Sequence, residues 1–216
     1  MFVIESNPKS MAAEAYRTLR TNIQYASVDD EYRVISVTSS EPGEGKTTVA
    51  GNLALAIANG DNKVLLIDCD MRKPSTHKKF RLSNSVGLSD VLARKSNVEK
   101  ALNYYNENLS IITAGKVPPN PSEMLSSNAM KLFLDEMKGH FDYIILDTPP
   151  LQAVTDAQVL AAKVDGTILV IKAKSTKKDT VKSSIDLIKN VNGNIIGTVL
   201  NGVDVPKSKY YNYYGM

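Results

Sequence analysis

The residues best suited to chemistry stand in the stretch "VTSSEPGEGKTTV", whose spacing matches G-x-x-x-x-G-K-[ST] except that Ser40 replaces the first glycine. Gly43 and Gly45 let the backbone curl so that its N–H groups point at phosphate oxygens. Lys46 is placed to bind the β- and γ-phosphates, and the Thr47 hydroxyl is placed to ligate Mg²⁺. A glycine turn that carries Gly-Lys by chance is the alternative. A predicted strand before the loop and a helix after it favour a nucleotide site.

Carboxylates close two further strand candidates. "VLLIDCDMRKP" ends in Asp68 and Asp70, and "YIILDTPP" ends in Asp147 before two prolines. Ligands of an open parallel sheet collect beyond the carboxyl ends of the strands, so both clusters are expected to face the phosphate loop. Asp147 fits the carboxylate that holds the Mg²⁺ shell in P-loop nucleotidases. A simple cap of the following turn is the alternative for Asp147.

Asp68 and Asp70 should lie on one side of an extended chain, because successive side chains alternate. One of them can lie near the metal while the other accepts a proton from an attacking hydroxyl. We favour Asp68 slightly as the acceptor, because it is nearer the strand end. Cys69 points the other way and is predicted to be a buried packing residue. Arg72 either neutralises the acidic pair or holds a phosphate, or else forms a surface ion pair.

The elements that must position these residues alternate between short β-branched runs and longer helical stretches, which predicts an α/β, doubly wound, mostly parallel sheet. Together with the phosphate loop and its replaced first glycine, this indicates the P-loop nucleoside triphosphatase class with deviant motifs. The predicted strands are 34–38, 64–67, 109–112, 143–146, 167–171 and 195–200. The predicted helices are 47–58, 88–94, 129–138, 157–163 and 180–190, with a further helix at 11–26 that must pack outside the sheet or against a neighbour.

Length and composition bound the class of protein. The 216 residues, 43% hydrophobic and 23% charged, suit one large domain with a full core. A net charge of +3 is too mild to indicate a nucleic-acid partner. A single cysteine excludes a disulfide framework. No apolar run is long enough to span a bilayer, and no signal peptide pattern begins the chain, so a cytoplasmic location is expected.

The one compositional break follows Val205, where "PKSKYYNYYGM" begins. We predict a P-loop domain at 1–205, with an N-terminal helical oligomerisation segment at 1–32, and a flexible tail at 206–216. The tail carries Tyr210, Tyr211, Tyr213 and Tyr214. By itself, such a cluster is typical of an aromatic patch used in oligomerisation.

The combination of "SSEPGEGKTT", "LLIDCDMRKP", "YIILDTPP" and the tyrosine cluster resembles the bacterial tyrosine kinases of capsular and exopolysaccharide synthesis, of the CpsD/CapB type. The resemblance covers nearly the whole chain, and the family calls the first three stretches Walker A, Walker A′ and Walker B. It implies ATP and Mg²⁺ as cofactors and autophosphorylation of the tail. The implied residues fall into four sets: catalytic Lys46, Asp68 and Asp70; nucleotide contacts Gly43, Glu44, Gly45, Lys46, Thr47, Thr48 and Asn201; metal ligands Thr47, Asp68 and Asp147; phosphoacceptors Tyr210, Tyr211, Tyr213 and Tyr214.

"AEAYRTLRTNI" contains E-x-x-R-x-x-R as Glu14, Arg17 and Arg20, which share one side of a helix. The residues alone favour a solvated, salt-bridging face. The resemblance instead implies a subunit interface in a ring. It also implies a membrane-embedded adaptor of polysaccharide synthesis as activator, a cognate tyrosine phosphatase, and a place at the inner face of the cell membrane.

The reach of the tail bears on how it is modified. The nine steps from Val205 to Tyr214 span roughly 30 Å at most, enough for a neighbouring subunit's nucleotide, so transfer in trans is expected. Phosphorylated tyrosines should be repelled by an acidic site and by each other, which would release the tails and loosen the ring.

Two other functions fit parts of the sequence. The first is an ATPase switch related to partition and cell-division proteins. Against it, Glu41 stands where those relatives carry a signature lysine, and the chain ends in tyrosines. The second is a nucleotide-dependent scaffold without catalysis. The presence of Asp68, Asp70 and Asp147 disfavours it.

Overall fold

A computed structural model describes residues 2–26 and 32–204, and these form a seven-stranded sheet covered by helices on both faces. The strands are β1 (Val34–Ser39), β2 (Val64–Asp68), β3 (Leu102–Tyr104), β4 (Leu109–Ile112), β5 (Tyr143–Asp147), β6 (Gly166–Lys172) and β7 (Ile195–Asn201). They lie in the order β3-β4-β2-β5-β1-β6-β7. Every neighbouring pair is parallel except β3 with β4, so the predicted doubly wound α/β fold is confirmed.

The described residues also form ten helices: α1 (Val3–Ser6), α2 (Met11–Ala26), α3 (Lys46–Ala58), α4 (Thr76–Phe80), α5 (Leu88–Leu92), α6 (Val98–Ala101), α7 (Pro121–Ser126), α8 (Asn128–Met137), α9 (Asp156–Ala161) and α10 (Lys178–Lys189). Successive side chains along each strand point to opposite faces of the sheet and pack into two separate cores. Leu66 packs with α3 on one face, whereas Leu65 packs with α8 on the other. Strands buried on both faces read as continuous apolar runs, which is why the sequence signal was clear.

Each predicted strand and helix is present, with ends that differ by a few residues. The elements that the sequence analysis did not identify are β3 and the short helices α1, α4, α6 and α7. These helices span between four and six residues, too few for a 3.6-residue periodicity to appear. The β3 strand has three residues, pairs antiparallel at the sheet edge and is only partly buried, so it carries no alternating pattern.

The N-terminal helices pack on α3 rather than on the sheet. Ala13 and Ile23 of α2 are buried in the core on the α3 side. Phe2, just before α1, lies over Gly51, where an added Cβ would be 2.2 Å from the ring. Phe2 also stacks on Phe80 of α4, with ring centroids 4.3 Å apart. This segment therefore braces α3, the helix that begins at the phosphate loop.

Strand register brings the acidic strand ends together. Asp147 of β5 is the register partner of Asp68 on β2 and of Val37 on β1. The phosphate loop follows β1 directly, so β5 lies between the loop's own strand and the strand that ends in Asp68. The convergence predicted from the carboxyl ends of parallel strands is confirmed.

Within the part of the chain that the structure describes, no helix combines the length and apolarity needed to cross a membrane.

Candidate active site

The phosphate loop depends on two glycines with left-handed backbone. Gly43 has φ +81° and Gly45 has φ +99°, conformations that L side chains rarely adopt. Gly45 is also crowded, because a Cβ there would lie 2.1 Å from Nδ2 of Asn201. Asn201 ends β7 and donates its Nδ2 hydrogen to the Glu44 carbonyl oxygen at 2.9 Å. Asn201 therefore holds the loop from outside, a contact that the sequence analysis did not anticipate.

Two side-chain contacts tie the same loop to the segment after β6. The hydroxyl of Ser184 on α10 donates to Oγ of Ser40 at 2.9 Å. Thr176 donates its hydroxyl to a carboxylate oxygen of Glu44, whose other oxygen accepts from the Glu41 amide. Glu44 is 3% exposed, so its carboxylate is turned into the protein. The loop is thus fixed by side chains from both the β6–α10 segment and β7.

Lys46 lies among the carboxylates at the first position of α3. Its Nζ is 2.8 Å from Oδ2 of Asp70 and 3.7 Å from Oδ1 of Asp147. Burial lowers the pKa of Lys46, but the charges of Asp147 and Asp70 outweigh that effect, and the pKa ends above its ordinary value. Lys46 is therefore a fixed positive charge at neutral pH.

Asp68 is fully buried, and its carboxylate accepts hydrogen bonds from backbone amides. Its Oδ1 accepts from the Asp70 amide at 3.1 Å, and its Oδ2 accepts from the Ser75 and Thr76 amides at 3.1 and 3.0 Å. Burial and the neighbouring Asp147 raise the pKa of Asp68 to about 7. Asp68 does not line the cavity of this site. These hydrogen bonds are typical of a residue that shapes the loop after β2. The predicted catalytic and metal-binding roles of Asp68 stay predictions, and its hydrogen bonding does not favour them.

Asp70 faces the cavity, unlike Asp68. Its Oδ2 accepts from Lys46, and its Oδ1 accepts from the Lys73 amide at 3.1 Å. Asp68 and Asp70 thus share one end of the sheet, as alternation predicts, but at different depths. The slight preference for Asp68 as proton acceptor rested on its place nearer the strand end, and that same place buries it.

One carboxylate oxygen of Asp147 lies near the Lys46 ammonium group but accepts no hydrogen bond. Oδ2 accepts from the Thr76 hydroxyl at 3.1 Å, whereas the fully buried Oδ1 has no hydrogen-bond partner among the described residues. Burial raises the pKa of Asp147, and the charge of Lys46 offsets only part of that shift. A buried carboxylate oxygen without a donor, beside the hydroxyl-bearing start of α3, is a donor set that fits Mg²⁺, which prefers oxygen ligands and keeps several waters.

The Thr47 hydroxyl is within 2.9 Å of Ser75 Oγ. Ser75 thus forms hydrogen bonds with Thr47 and Asp68, and Thr76 forms hydrogen bonds with Asp68 and Asp147. The sequence analysis missed both residues. The one available signal was their position five and six residues after Asp70, where the loop returns over the site.

A cavity of about 400 Å³ opens between these groups, within the range of small-molecule sites. It has three walls. The first is the phosphate loop with the start of α3, including Thr48; the second is the segment from Asp70 to Lys79; the third is the turn from Pro149 to Val154. Four cationic side chains line the cavity against one carboxylate: Lys46, Arg72, Lys73 and Lys79 against Asp70.

Arg72 is held at the mouth of this cavity by a bidentate ion pair. Its Nε and Nη2 donate to the two carboxylate oxygens of Asp156 at 2.9 and 3.1 Å, and Nη2 also donates to Ser122 Oγ at 3.2 Å. The Asp156 side chain is fully buried, whereas that of Arg72 is 41% exposed. The hydrogen bond to Asp156 raises the pKa of Arg72 above its ordinary value. Of the predicted roles, the ion pair is present, although its acidic partner is buried, and the charge of Asp70 also raises the pKa of Arg72. The sequence analysis missed Asp156 because it opens a helix that was predicted to begin one residue later.

The remaining predicted residues lie apart from the cavity. On α2, Arg17 pairs with Glu14 at 2.7 Å, and both side chains are exposed. Arg20 turns inward and donates from Nη1 to the carbonyl oxygen of Ala56 at 3.0 Å, near the end of α3. The three residues therefore do not form one free face. The predicted phosphoacceptors, Tyr210, Tyr211, Tyr213 and Tyr214, lie outside the described residues.

Comparison with known proteins places this geometry in a family. A family model described as an AAA domain matches residues 32–199. The tyrosine-protein kinase YwqD of Bacillus subtilis strain 168 is 44% identical over 211 residues, which cover 97% of this chain and 89% of YwqD. The putative tyrosine-protein kinase CapB of Staphylococcus aureus is 38% identical, covering 98% of this chain and 94% of CapB. The solved kinase domain of Escherichia coli tyrosine kinase ETK matches with a TM-score of 0.91 at 38% identity, covering 94% of this chain and 80% of that one. The chain belongs to the bacterial tyrosine-protein kinase family.

Proposed function

We propose that this protein is an ATP-dependent tyrosine kinase that phosphorylates the tyrosines of its own C-terminal tail, with Mg²⁺ as cofactor. One observation carries the proposal. The P-loop lysine Lys46 has its Nζ 2.8 Å from a carboxylate oxygen of Asp70, which lines the cavity, and 3.7 Å from a carboxylate oxygen of Asp147, which is fully buried at the end of β5. Family membership supports the tyrosine as acceptor, and four tyrosines lie within the last seven residues.

The phosphate loop and α3 bind the triphosphate. Backbone N–H groups of the loop and the positive end of α3 face the phosphate oxygens, with Gly43 and Gly45 allowing the close approach. Lys46 leaves Asp70 for the β- and γ-phosphates as they enter. Asp147 and Thr47 would hold Mg²⁺, which when bound would supply positive charge against the phosphate oxygens. Asn201 keeps the Glu44 carbonyl in place, and its own contact with the nucleotide stays a prediction.

The departure of Lys46 also frees Asp70 for the acceptor. A tyrosine has an ordinary pKa of about 10, so at neutral pH its phenol is almost wholly protonated. Its oxygen forms a bond to the γ-phosphorus, the bond from that phosphorus to the β–γ bridging oxygen breaks, and ADP leaves. The phenol proton passes to the Asp70 carboxylate. We assign this role to Asp70 rather than Asp68, because Asp70 lines the cavity and Asp68 is committed to three amides.

The tail reaches a neighbouring subunit in this proposal. Transfer in trans follows from the reach of roughly 30 Å and from a ring in which the Glu14, Arg17 and Arg20 helix joins subunits. The partners are an adaptor embedded in the membrane that activates the kinase, and a tyrosine phosphatase that resets it. The protein then acts at the inner face of the cell membrane in capsular or extracellular polysaccharide synthesis. Family resemblance supports each of these assignments.

Mass spectrometry separates this function from its two rivals. Purified protein is incubated with ATP and Mg²⁺, alone and with a peptide from the cytoplasmic end of an adaptor. The kinase predicts phosphate on Tyr210–Tyr214 that is absent in Lys46→Met and retained in the exposed control Lys100→Met. Free phosphate alone indicates an ATPase switch, and neither product indicates a scaffold.

A further inference from the structure

The segment from Arg72 to Lys79 places three cations at the cavity beyond those that a triphosphate needs. We define Arg72, Lys73 and Lys79 as the basic rim. The phosphate loop, the start of α3 and Lys46 already supply the groups that bind nucleotide phosphates in a P-loop protein. The rim lies on a different wall, the one that begins at Asp70. Its charge is therefore available to whatever approaches Asp70.

The rim is available because its lysines are not paired. Within residues 2–26 and 32–204, neither Lys73 nor Lys79 has a carboxylate within 4 Å. Arg72 is paired, but its fork on the buried Asp156 uses Nε and Nη2 and fixes the guanidinium in place. A fixed guanidinium beside two free ammonium groups is suited to a dianionic phosphate, which accepts several charge-assisted hydrogen bonds.

We propose that the basic rim binds the phosphate of an already phosphorylated tail tyrosine, so that one modified tyrosine primes the next. The inference rests on the proposed kinase function and names its preferred substrate, a tail that carries one phosphotyrosine two residues from the acceptor. Tyr211 and Tyr213 have this spacing.

The spacing matches the geometry of the site. In an extended chain, residues two apart project to the same side, and their Cα atoms are roughly 7 Å apart. Asp70 and Arg72 are also two residues apart, so their Cα atoms are at most roughly 7 Å apart. A tail with the Tyr213 hydroxyl at Asp70 therefore brings the phosphate of a modified Tyr211 to the rim.

The charges favour the second transfer over the first. The unmodified tail carries Lys207 and Lys209, which a cationic rim disfavours. Each phosphorylation adds nearly two negative charges. The sequence analysis expected an acidic site that repels phosphorylated tails. The cavity lining instead includes two lysines without a carboxylate partner, Lys73 and Lys79, which favours retention until the cluster is filled.

Two synthetic peptides of residues 205–216 test the inference. Both keep Tyr213 as the only acceptor, with Tyr210 and Tyr214 replaced by Phe. One has phosphotyrosine at 211 and the other has Phe. The enzyme is the full chain with its own four tail tyrosines changed to Phe. We expect kcat/KM for the phosphopeptide to be about tenfold higher, the effect of one added charge-assisted hydrogen bond.

The variant Lys73→Ala/Lys79→Ala should bring that ratio close to one, whereas the control Lys95→Ala/Lys131→Ala, whose lysines are exposed on other helices or loops, should keep it. Equal rates for the two peptides with the wild-type rim overturn the inference, as does a preference that survives the rim variant. Equal weakening of ATP affinity and peptide preference in the rim variant also overturns it, because the rim would then serve the nucleotide.

Fluorescence anisotropy keeps the inference separate from the kinase assignment. The labelled phosphopeptide should bind the nucleotide-loaded wild type about tenfold more tightly than the Phe peptide, and the difference should vanish in the rim variant. If neither peptide is turned over even when the adaptor-derived peptide is present, the kinase proposal fails, whereas this binding measurement still tests whether the basic rim binds the phosphate.

Discussion

Gly45→Ala is the substitution whose cost the structure defines best. An alanine at φ +99° adopts a left-handed backbone, at a cost of about 1–2 kcal/mol. Its methyl group would lie 2.1 Å from Asn201 Nδ2, so Asn201 must move and lose its bond to the Glu44 carbonyl. A lost hydrogen bond of this kind costs about 1 kcal/mol. We expect Gly45→Ala to lower the free energy of unfolding by about 2–3 kcal/mol in total.

A double-mutant cycle separates the two costs. Urea denaturation is measured for Gly45→Ala, Asn201→Ala and the double variant without nucleotide. With Asn201 already truncated, Gly45→Ala should cost about 1 kcal/mol less, because no hydrogen bond remains to be broken and the clash is gone. Gly197→Ala on β7 is the control. Its φ is not in the left-handed region and nothing lies within 4 Å of an added Cβ. Its effect should be small.

The double-mutant cycle directly tests whether Asn201 holds the phosphate loop. If Gly45→Ala costs the same with and without the Asn201 side chain, Asn201 does not hold the loop. ATP binding provides a second readout, since a displaced Glu44–Gly45 peptide misaligns the phosphate-binding amides. Gly45→Ala should weaken ATP binding at least tenfold, and Gly197→Ala should not.

Three further predictions concern charge. Arg20→Ala should lower the free energy of unfolding by about 1–2 kcal/mol, because Arg20 caps the end of α3, whereas Arg17→Ala should change it by less than about 1 kcal/mol; equal effects in urea denaturation contradict the inward placement of Arg20. Lys46→Met should destabilise the nucleotide-free protein by about 3–5 kcal/mol at pH 8 and by less at pH 6. The reason is that removing the cation leaves buried carboxylates unpaired, and these protonate at lower pH. A loss of stability that is the same at both pH values counts against the ion pairs. Asp68 has a pKa of about 7 in the folded state against 3.8 in the unfolded state. Between these pH values the folded state binds more protons, so the free energy of unfolding falls as pH rises, by at most about 1.4 kcal/mol per pH unit. Asp68→Asn should flatten this dependence of stability on pH between pH 5 and 7, and an unchanged dependence shows that another group is responsible.

The fold was predictable because its signals are local and repeated. Buried parallel strands such as β2 and β5 are apolar at consecutive positions up to the aspartate that ends each, and α3 follows a glycine loop that marks its first turn. The same local logic placed Lys46, Thr47 and Asp147 together, because a parallel sheet collects its strand ends at one edge. Elements of one turn and a three-residue edge strand carry no such periodicity.

The finer roles were not predictable because they depend on contacts between distant segments. Asp68 and Asp70 look equivalent in sequence, and only the return of Ser75 and Thr76 over Asp68 distinguishes them. Asn201 and Gly45 are separated by most of the chain, so no spacing relates them. Arg20 shares a helix with Arg17, yet the end of α3 draws it inward.

Transfer of phosphate from one chain to the tail of another tests the central claim most directly. A Lys46→Met chain with an intact tail, labelled with ¹⁵N, is mixed with an unlabelled chain whose four tail tyrosines are Phe, together with ATP and Mg²⁺. Mass spectrometry should find phosphate on Tyr210, Tyr211, Tyr213 or Tyr214 of the labelled chain, and none when either chain is incubated alone. A labelled tail that stays unmodified while the mixture releases free phosphate would contradict the kinase and leave an ATPase in its place.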